Sequence, residues 1–322
     1  MRYLKRLIFN ILLKISRFKL RRGISIYNVR ADYNLFAKII YFLSPVEKDV
    51  LIHYSSLDTV HSLIATPPVQ NKRQILYFHG GAFVIGLDDL KNAFIPFATK
   101  LAKITHSTVW IPDYRTAPEH EHHILGQDCL TAYTALLAAG HHPDNIVIMG
   151  DSCGAALALS MIMKIRDDKL PMPSCVITIS AWTDLALTGQ SLYTRSDIDP
   201  MFSNDPISGF ANHYLQGTSA RDPEASPFYG DYHNFPPMYM MCGGREMLHD
   251  DTTRIAKKAE ESGVQVVLDE KEDMIHIYPV FFGIIPEGLD AILRIAKFIE
   301  DVAKTQKTIP TKKTRKTAKA KN

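Results

Sequence analysis

An α/β fold, with a mostly parallel sheet flanked by helices, follows from three features of this sequence. From residue 49 onward, short apolar segments rich in Val, Ile and Tyr alternate with stretches of helical periodicity. Two of those segments, "NIVIM" and "VITI", are apolar almost throughout, as parallel strands covered on both faces should be. At 322 residues and 46% apolar content, the chain is long enough to bury a sizeable core.

In chain order, residues 1–48 precede the first strand and are read as N-terminal cap helices. Leu4, Leu7, Ile8, Ile11, Ile15 and Phe18 fall on one helical face with basic residues beside them. The favoured expectation is a helix packed on the protein's own body through that face. The alternative is a helix lying in a membrane interface. "DVLIHYS" and "VHSLIAT" read as paired strands, followed by "QILYFH", "STVWIPDY", "NIVIMGD", "SCVITIS", "MYMMCGG" and "VQVVLDE". Helices are expected near residues 90–104, 125–140, 154–168, 251–263 and 287–302. The main domain is thus 49–302. Residues 185–235 interrupt its rhythm with four prolines, Pro200, Pro206, Pro223 and Pro227, and are read as a cap insertion. Residues 303–322, rich in Lys and Thr, are expected to be a basic disordered tail.

Charge is unevenly laid out. The first 22 residues and the last 20 each carry eight basic residues and no acid. Removing those 16 leaves 21 basic against 34 acidic residues, a body of net −13. The basic ends therefore say nothing about the body's chemistry. No nucleic-acid partner is expected, and residues 1–22 are the segment suited to peripheral contact with an anionic membrane. "LIFNILL" is too short to span a bilayer and lacks a following cleavage site. Cys129, Cys153, Cys175 and Cys242 show neither close pairing nor metal-ligand spacing, which favours reduced thiols. The expectation is a cytoplasmic protein, with the inner membrane face as its one candidate surface.

The chemistry-bearing signal is Gly150-Asp151-Ser152-Cys153-Gly154, a G-x-S-x-G at a strand-to-helix junction. Such a junction exposes a serine hydroxyl on a strained turn and aims a helix N-terminus at it. A serine needs a base, and His276 follows the last strand candidate. The histidine needs an orienting acid. Glu246, three residues past Gly243, is favoured, with Asp250 second, because Asp250 and Asp251 could simply cap the next helix. "YFHGGAFVIG" places Gly80 and Gly81 after the third strand, where bare backbone can approach a substrate oxygen. Gly80, Gly81, Ala82 and Cys153 are the candidate oxyanion donors. A phosphate cradle is disfavoured, since neither G-x-x-x-x-G-K-[ST] nor G-x-G-x-x-G occurs there.

"HGGAFVIG", "DYRTAPEH", "GDSCG", "SAWTDL", "DPEASPFYG", "GGREMLHDD" and "MIH" together resemble the hormone-sensitive-lipase-like (bacterial family IV) esterases of the α/β-hydrolase superfamily, over roughly residues 25–300. The order Ser152, Glu246, His276 is the one that fold uses, and the acid-to-histidine spacing suits Glu246. The resemblance implies an α/β-hydrolase fold with a helical cap. It also implies a carboxylesterase or lipase-like enzyme for short- to medium-chain esters, or lactones, working without a cofactor. The small-molecule ester would be its partner. The runner-up reading is a non-catalytic ligand-binding member of the same fold, which His276 argues against.

The sequence also departs from the family pattern. Ala82 stands where many members have a third glycine, and would keep its donor role at a negative φ. Cys153 replaces a small alanine, and Ala155 a second glycine. Glu246 replaces the commoner aspartate. Glu119, His120, Glu121, His122 and His123 form a polar run without H-E-x-x-H spacing, read as a surface loop rather than a metal site.

Overall fold

The computed structural model describes residues 2–20 and 25–308. Eight strands form one sheet: β1 (Leu51–Leu57), β2 (Val60–Thr66), β3 (Gln74–Phe78), β4 (Thr108–Pro112), β5 (Ile146–Asp151), β6 (Cys175–Ile179), β7 (Met238–Gly243) and β8 (Val266–Lys271). Their order is β1-β2-β4-β3-β5-β6-β7-β8. β2 runs antiparallel to both β1 and β4, and every other pairing is parallel. The strands β3, β5, β6 and β7 are buried at every residue, which is why their sequences are nearly all apolar. The edge strands β1 and β8 are largely exposed and carry polar residues.

Helices α1 (Arg2–Leu20) and α2 (Ile26–Leu43) precede the sheet. α3 (Leu87–Thr105), α4 (His122–Ala138), α5 (Cys153–Asp167), α8 (His249–Glu261) and α9 (Glu287–Thr308) alternate with the strands. The 185–235 segment contains α6 (Ser191–Thr194) and α7 (Asn204–Leu215). Two boundaries differ from expectation. α4 starts at His122, so His122 and His123 lie in its first turn rather than in a loop. α9 runs on to Thr308, six residues into the expected tail, because its i,i+4 pair Lys297–Asp301 and the neighbouring Lys304 continue the helix. The rest of the tail, 309–322, lies outside the described residues, as do residues 21–24.

The orientation of α1 is the reverse of the favoured expectation. Leu4, Leu7, Ile11, Ile15 and Phe18 are 44–58% exposed, and Ile8 is half-buried. The inward face is instead Phe9 and Leu13, 1% and 2% exposed, with Leu20. Aromatic packing decides this. Phe9 sits 4.8 Å from the Phe281 ring and 6.2 Å from that of Phe36, between centroids. At the rim of the same face, Lys5 donates to the Leu43 carbonyl and Arg17 to those of Ser196 and Asp199. The inward face is therefore fixed by its partners as well as by its own periodicity.

Candidate active site

All the loops of interest leave the carboxyl ends of parallel strands: His79 after β3, Ser152 after β5, Ser180 after β6, Glu246 after β7 and His276 after β8. This is where an α/β sheet places its ligands. The turn at Ser152 is strained, with φ 53° and ψ −123°. Its glycines are obligatory. A Cβ on Gly150 would lie 2.4 Å from the Gly154 carbonyl oxygen, and one on Gly154 would lie 2.1 Å from that of Phe78. Ala155, which stands in place of a second glycine, is fully buried in α5.

Glu246 and His276, thirty residues apart, meet directly: Nδ1 of His276 is 2.9 Å from Oε2 of Glu246. Both are buried. A carboxylate only accepts, so Nδ1 carries the proton and Nε2 of the neutral ring is left as the basic nitrogen. Oε1 of Glu246 accepts from Ser180 Oγ at 2.8 Å and from the Gly243 amide. Ser180 Oγ in turn accepts from the Ile277 amide at 2.9 Å. Ser180 thus joins the acid loop to the histidine loop, a role not assigned from sequence. Asp250 lies elsewhere. Its Oδ2 accepts from the Ser191 amide at 2.9 Å, and it contacts His249 rather than His276. Neither Asp250 nor Asp251 is a cap, because α8 already begins at His249. Asp251 holds the amides of Thr183 and Asp184 at 2.7 and 2.8 Å, and burial pushes its pKa up to about 7.

The loop after β3 corrects two expectations. The Gly80 amide is spent on Oδ1 of Asp151 at 2.8 Å, so it is no oxyanion donor. Ala82 has φ 53°, not a negative value, and Phe83 follows at 64°. Each such left-handed residue costs about 1–2 kcal/mol. The surroundings hold them there. The Phe83 amide donates to Sγ of Cys153 at 3.1 Å, a contact the usual alanine would lack. Asp151 clamps the loop to the elbow, accepting also from Tyr77 Oη at 2.6 Å. Burial raises its pKa to about 6 against these two hydrogen bonds. Asp151 was legible as part of "GDSCG", but its partner 71 residues upstream was not. Gly81 has φ 133°, and a Cβ there would meet the Ile85 carbonyl oxygen at 2.5 Å.

His79 braces this loop from behind. Its ring stacks on Tyr114 at 4.4 Å, and Nδ1 donates to the Gly80 carbonyl at 2.6 Å. Burial lowers its pKa from 6.5 to about 4, so the folded ring is neutral. The unfolded chain then takes up a proton first as pH falls. The stabilisation is fully present above pH 6.5 and is lost towards pH 4. Relative to His79→Gln, which keeps a donor for Gly80, wild-type protein should lose about 2–3 kcal/mol between pH 7 and pH 4.5. Denaturant melts of both proteins at the two pH values measure this. A pH-independent difference would show that His79 is not buried neutral.

Ser152, His276, Gly80, Gly81 and Ala82 line one cavity of about 60 Å³. Its walls include Tyr33 and Phe36 of α2, Met201, Phe202 and Phe210 of the 185–235 segment, and Phe281. Phe202 stands edge-on to His276, 5.0 Å between ring centroids. Asp199 fastens this segment to the acid loop, accepting from the amides of Met201, Phe202 and Met247. In the polar run, Glu119 pairs with Arg30, His122 lies 3.4 Å from Thr218 Oγ1, and His123 pairs with Glu121. A grouping that sequence did not single out brings Cys242, His249 and Glu270 within 4.8 Å of one another, with His249 Nε2 2.7 Å from Glu270.

Known proteins share this fold. Residues 75–280 match the family model described as the alpha/beta hydrolase fold. The chain is 33% identical to an acetyl-hydrolase of Streptomyces hygroscopicus over 226 residues, 70% of this chain and 75% of that protein. It is 35% identical to an esterase of Acinetobacter venetianus over 225 residues, 70% and 73% of the two chains. Among solved structures, an esterase of the bacterial hormone-sensitive lipase family superposes with a TM-score of 0.85 at 27% identity, covering 93% of this chain and 98% of that one. A hormone-sensitive lipase from a metagenome library gives 0.83 at 29% identity, covering 92% and 98%. The chain belongs to the α/β-hydrolase fold family and is a carboxylic ester hydrolase of its hormone-sensitive-lipase-like branch.

Proposed function

We propose that this esterase works through an acyl-enzyme on Ser152, with His276 as base and Glu246 as the acid that orients it. The observation that carries this reading is the Glu246–His276 hydrogen bond at the wall of the cavity that Ser152 also lines. In the first step Ser152 Oγ attacks the ester carbonyl carbon and its proton passes to Nε2 of His276. The carbonyl oxygen takes the charge, and its donors are the amides of Gly81, of Ala82, whose left-handed backbone still carries an N–H, and of Cys153 at the N-terminus of α5. Collapse expels the alcohol, which receives the proton from His276. Water, deprotonated by the same nitrogen, then attacks the acyl-enzyme, and the acid leaves as Ser152 regains its proton.

Short acyl groups suit the cavity. Its 60 Å³ is far below the about 300–1,000 Å³ of a pocket for drug-sized ligands, and Phe202, Phe210 and Phe281 close it. Similarity to an acetyl-hydrolase points the same way. Across p-nitrophenyl esters, kcat/KM should peak between acetyl and butyryl and fall at least about tenfold by octanoyl, as overpacked walls resist longer chains. A maximum at octanoyl or beyond would overturn the short-acyl reading. Absence of turnover on every ester, and on a simple lactone, would favour the non-catalytic alternative.

A further inference from the structure

Among the described residues, the outward side of α1 formed by Leu4, Leu7, Ile11 and Ile15 is left exposed, and the esterase reading gives it no task. At 3.6 residues per turn, Leu4, Leu7, Ile11 and Ile15 lie along one side of the helix, opposite Phe9 and Leu13. The four are 44–58% exposed, whereas the opposite side is sealed against Phe36 and Phe281. Lys14 and Lys19 border the exposed stripe, one on each side, and both are exposed; Lys19 reaches Asp32 in a surface pair. A soluble monomer gains nothing from aligning four large apolar side chains towards water.

We propose that this stripe docks on the surface of an anionic phospholipid bilayer, with α1 lying in the plane of the interface. Charge selects this occupant. Residues 1–22 carry eight basic residues and no acid, while the body between the two basic ends has a net charge of −13. An anionic surface therefore attracts this face and repels the rest, which orients the molecule. A second copy docked through the same stripe would bring two wholly basic helices together. Among the described residues no helix is long and apolar enough to cross a membrane, so the contact is peripheral. Docking also has a consequence for the site. Phe9 on the inner side of α1 packs on Phe36 and Phe281, two walls of the cavity that holds Ser152, so the cap side of the enzyme faces the lipid.

The test uses full-length protein, unilamellar vesicles and sedimentation. Wild-type protein should bind vesicles of phosphatidylcholine with phosphatidylglycerol at least about tenfold more tightly than phosphatidylcholine alone, and lose that preference when salt is raised from about 0.05 to 0.5 M. L7Q/I11Q/I15Q should lose about 100-fold or more in partitioning while kcat/KM on p-nitrophenyl acetate stays within about twofold. K14E/K19E, which leaves the apolar face intact, should lose the preference for the anionic lipid. Ser152→Ala should bind as wild type does, so failure of the esterase reading and failure of docking are separate results. Wild-type protein that ignores anionic vesicles at low salt overturns the proposal. So does unchanged binding in both surface variants. A wild-type dimer that L7Q/I11Q/I15Q converts to a monomer, without vesicle binding, assigns the stripe to a second copy instead.

Discussion

Replacing Ser152 by alanine is expected to lower ester turnover by about 10⁴–10⁶-fold without unfolding the protein. The size follows from the chemistry: among the described residues, no other hydroxyl that lines the cavity sits on the elbow. Cys153 is the nearest rival and is poorly suited. Its thiol is fully buried, burial pushes its pKa up to about 12, and its sulfur is occupied by the Phe83 amide. Alanine also tolerates the site, since φ 53° strains Ala and Ser alike and no Ser152 side-chain hydrogen bond caps α5. The fold should therefore be retained, with a circular dichroism spectrum and melting temperature close to wild type. The pre-steady-state burst of p-nitrophenol should vanish together with steady-state turnover, because no acyl-enzyme forms. A folded variant within tenfold of the wild-type rate would remove Ser152 from the mechanism.

Local constraints were legible in the sequence, and long-range ones were not. The strands β3, β5, β6 and β7 announce themselves because burial on both faces excludes polar residues along their whole length. The elbow announces itself because Gly150 and Gly154 touch backbone where a Cβ cannot fit. The pairing of Glu246 with His276 followed from the order and spacing of the esterase family that the motifs resemble. Gly80 shows the limit. Its amide looks like a donor awaiting substrate until Asp151 is folded back on it by the elbow turn. Ala82 shows another, since the left-handed backbone it adopts is imposed by Cys153 and Asp151 and not by its own preference. In α1, periodicity found an apolar stripe, but two stripes exist on opposite sides. Which one turns inward depends on Phe281, some 270 residues later in the chain.

Glu246→Gln and Asp250→Asn should give opposite results, and the hydrogen bonds say why. Oε1 of Glu246 faces two donors, the Gly243 amide and Ser180 Oγ. The Gly243 amide cannot do anything but donate. Ser180 cannot readily turn its proton away, because Ile277 N–H already occupies its oxygen as acceptor. A glutamine at 246 must therefore place its carbonyl oxygen on that side and its NH₂ towards Nδ1 of His276. Nδ1 would then have to accept, and the ring proton would move to Nε2, the nitrogen that should receive the serine proton. The fall in kcat should be about 10²–10⁴-fold, with stability lowered by about 1–3 kcal/mol from the lost charge-assisted bonding. Asp250→Asn, by contrast, retains an oxygen for the Ser191 amide and touches neither His276 nor the cavity. Its rate should remain within a few-fold, and its stability within about 1 kcal/mol. Steady-state kinetics on p-nitrophenyl acetate with parallel denaturant melts separates the two. If Asp250→Asn abolished turnover while Glu246→Gln preserved it, the acid would have to reach His276 from α8, by a path in which the Glu246–Ser180–Ile277 bridge plays no part.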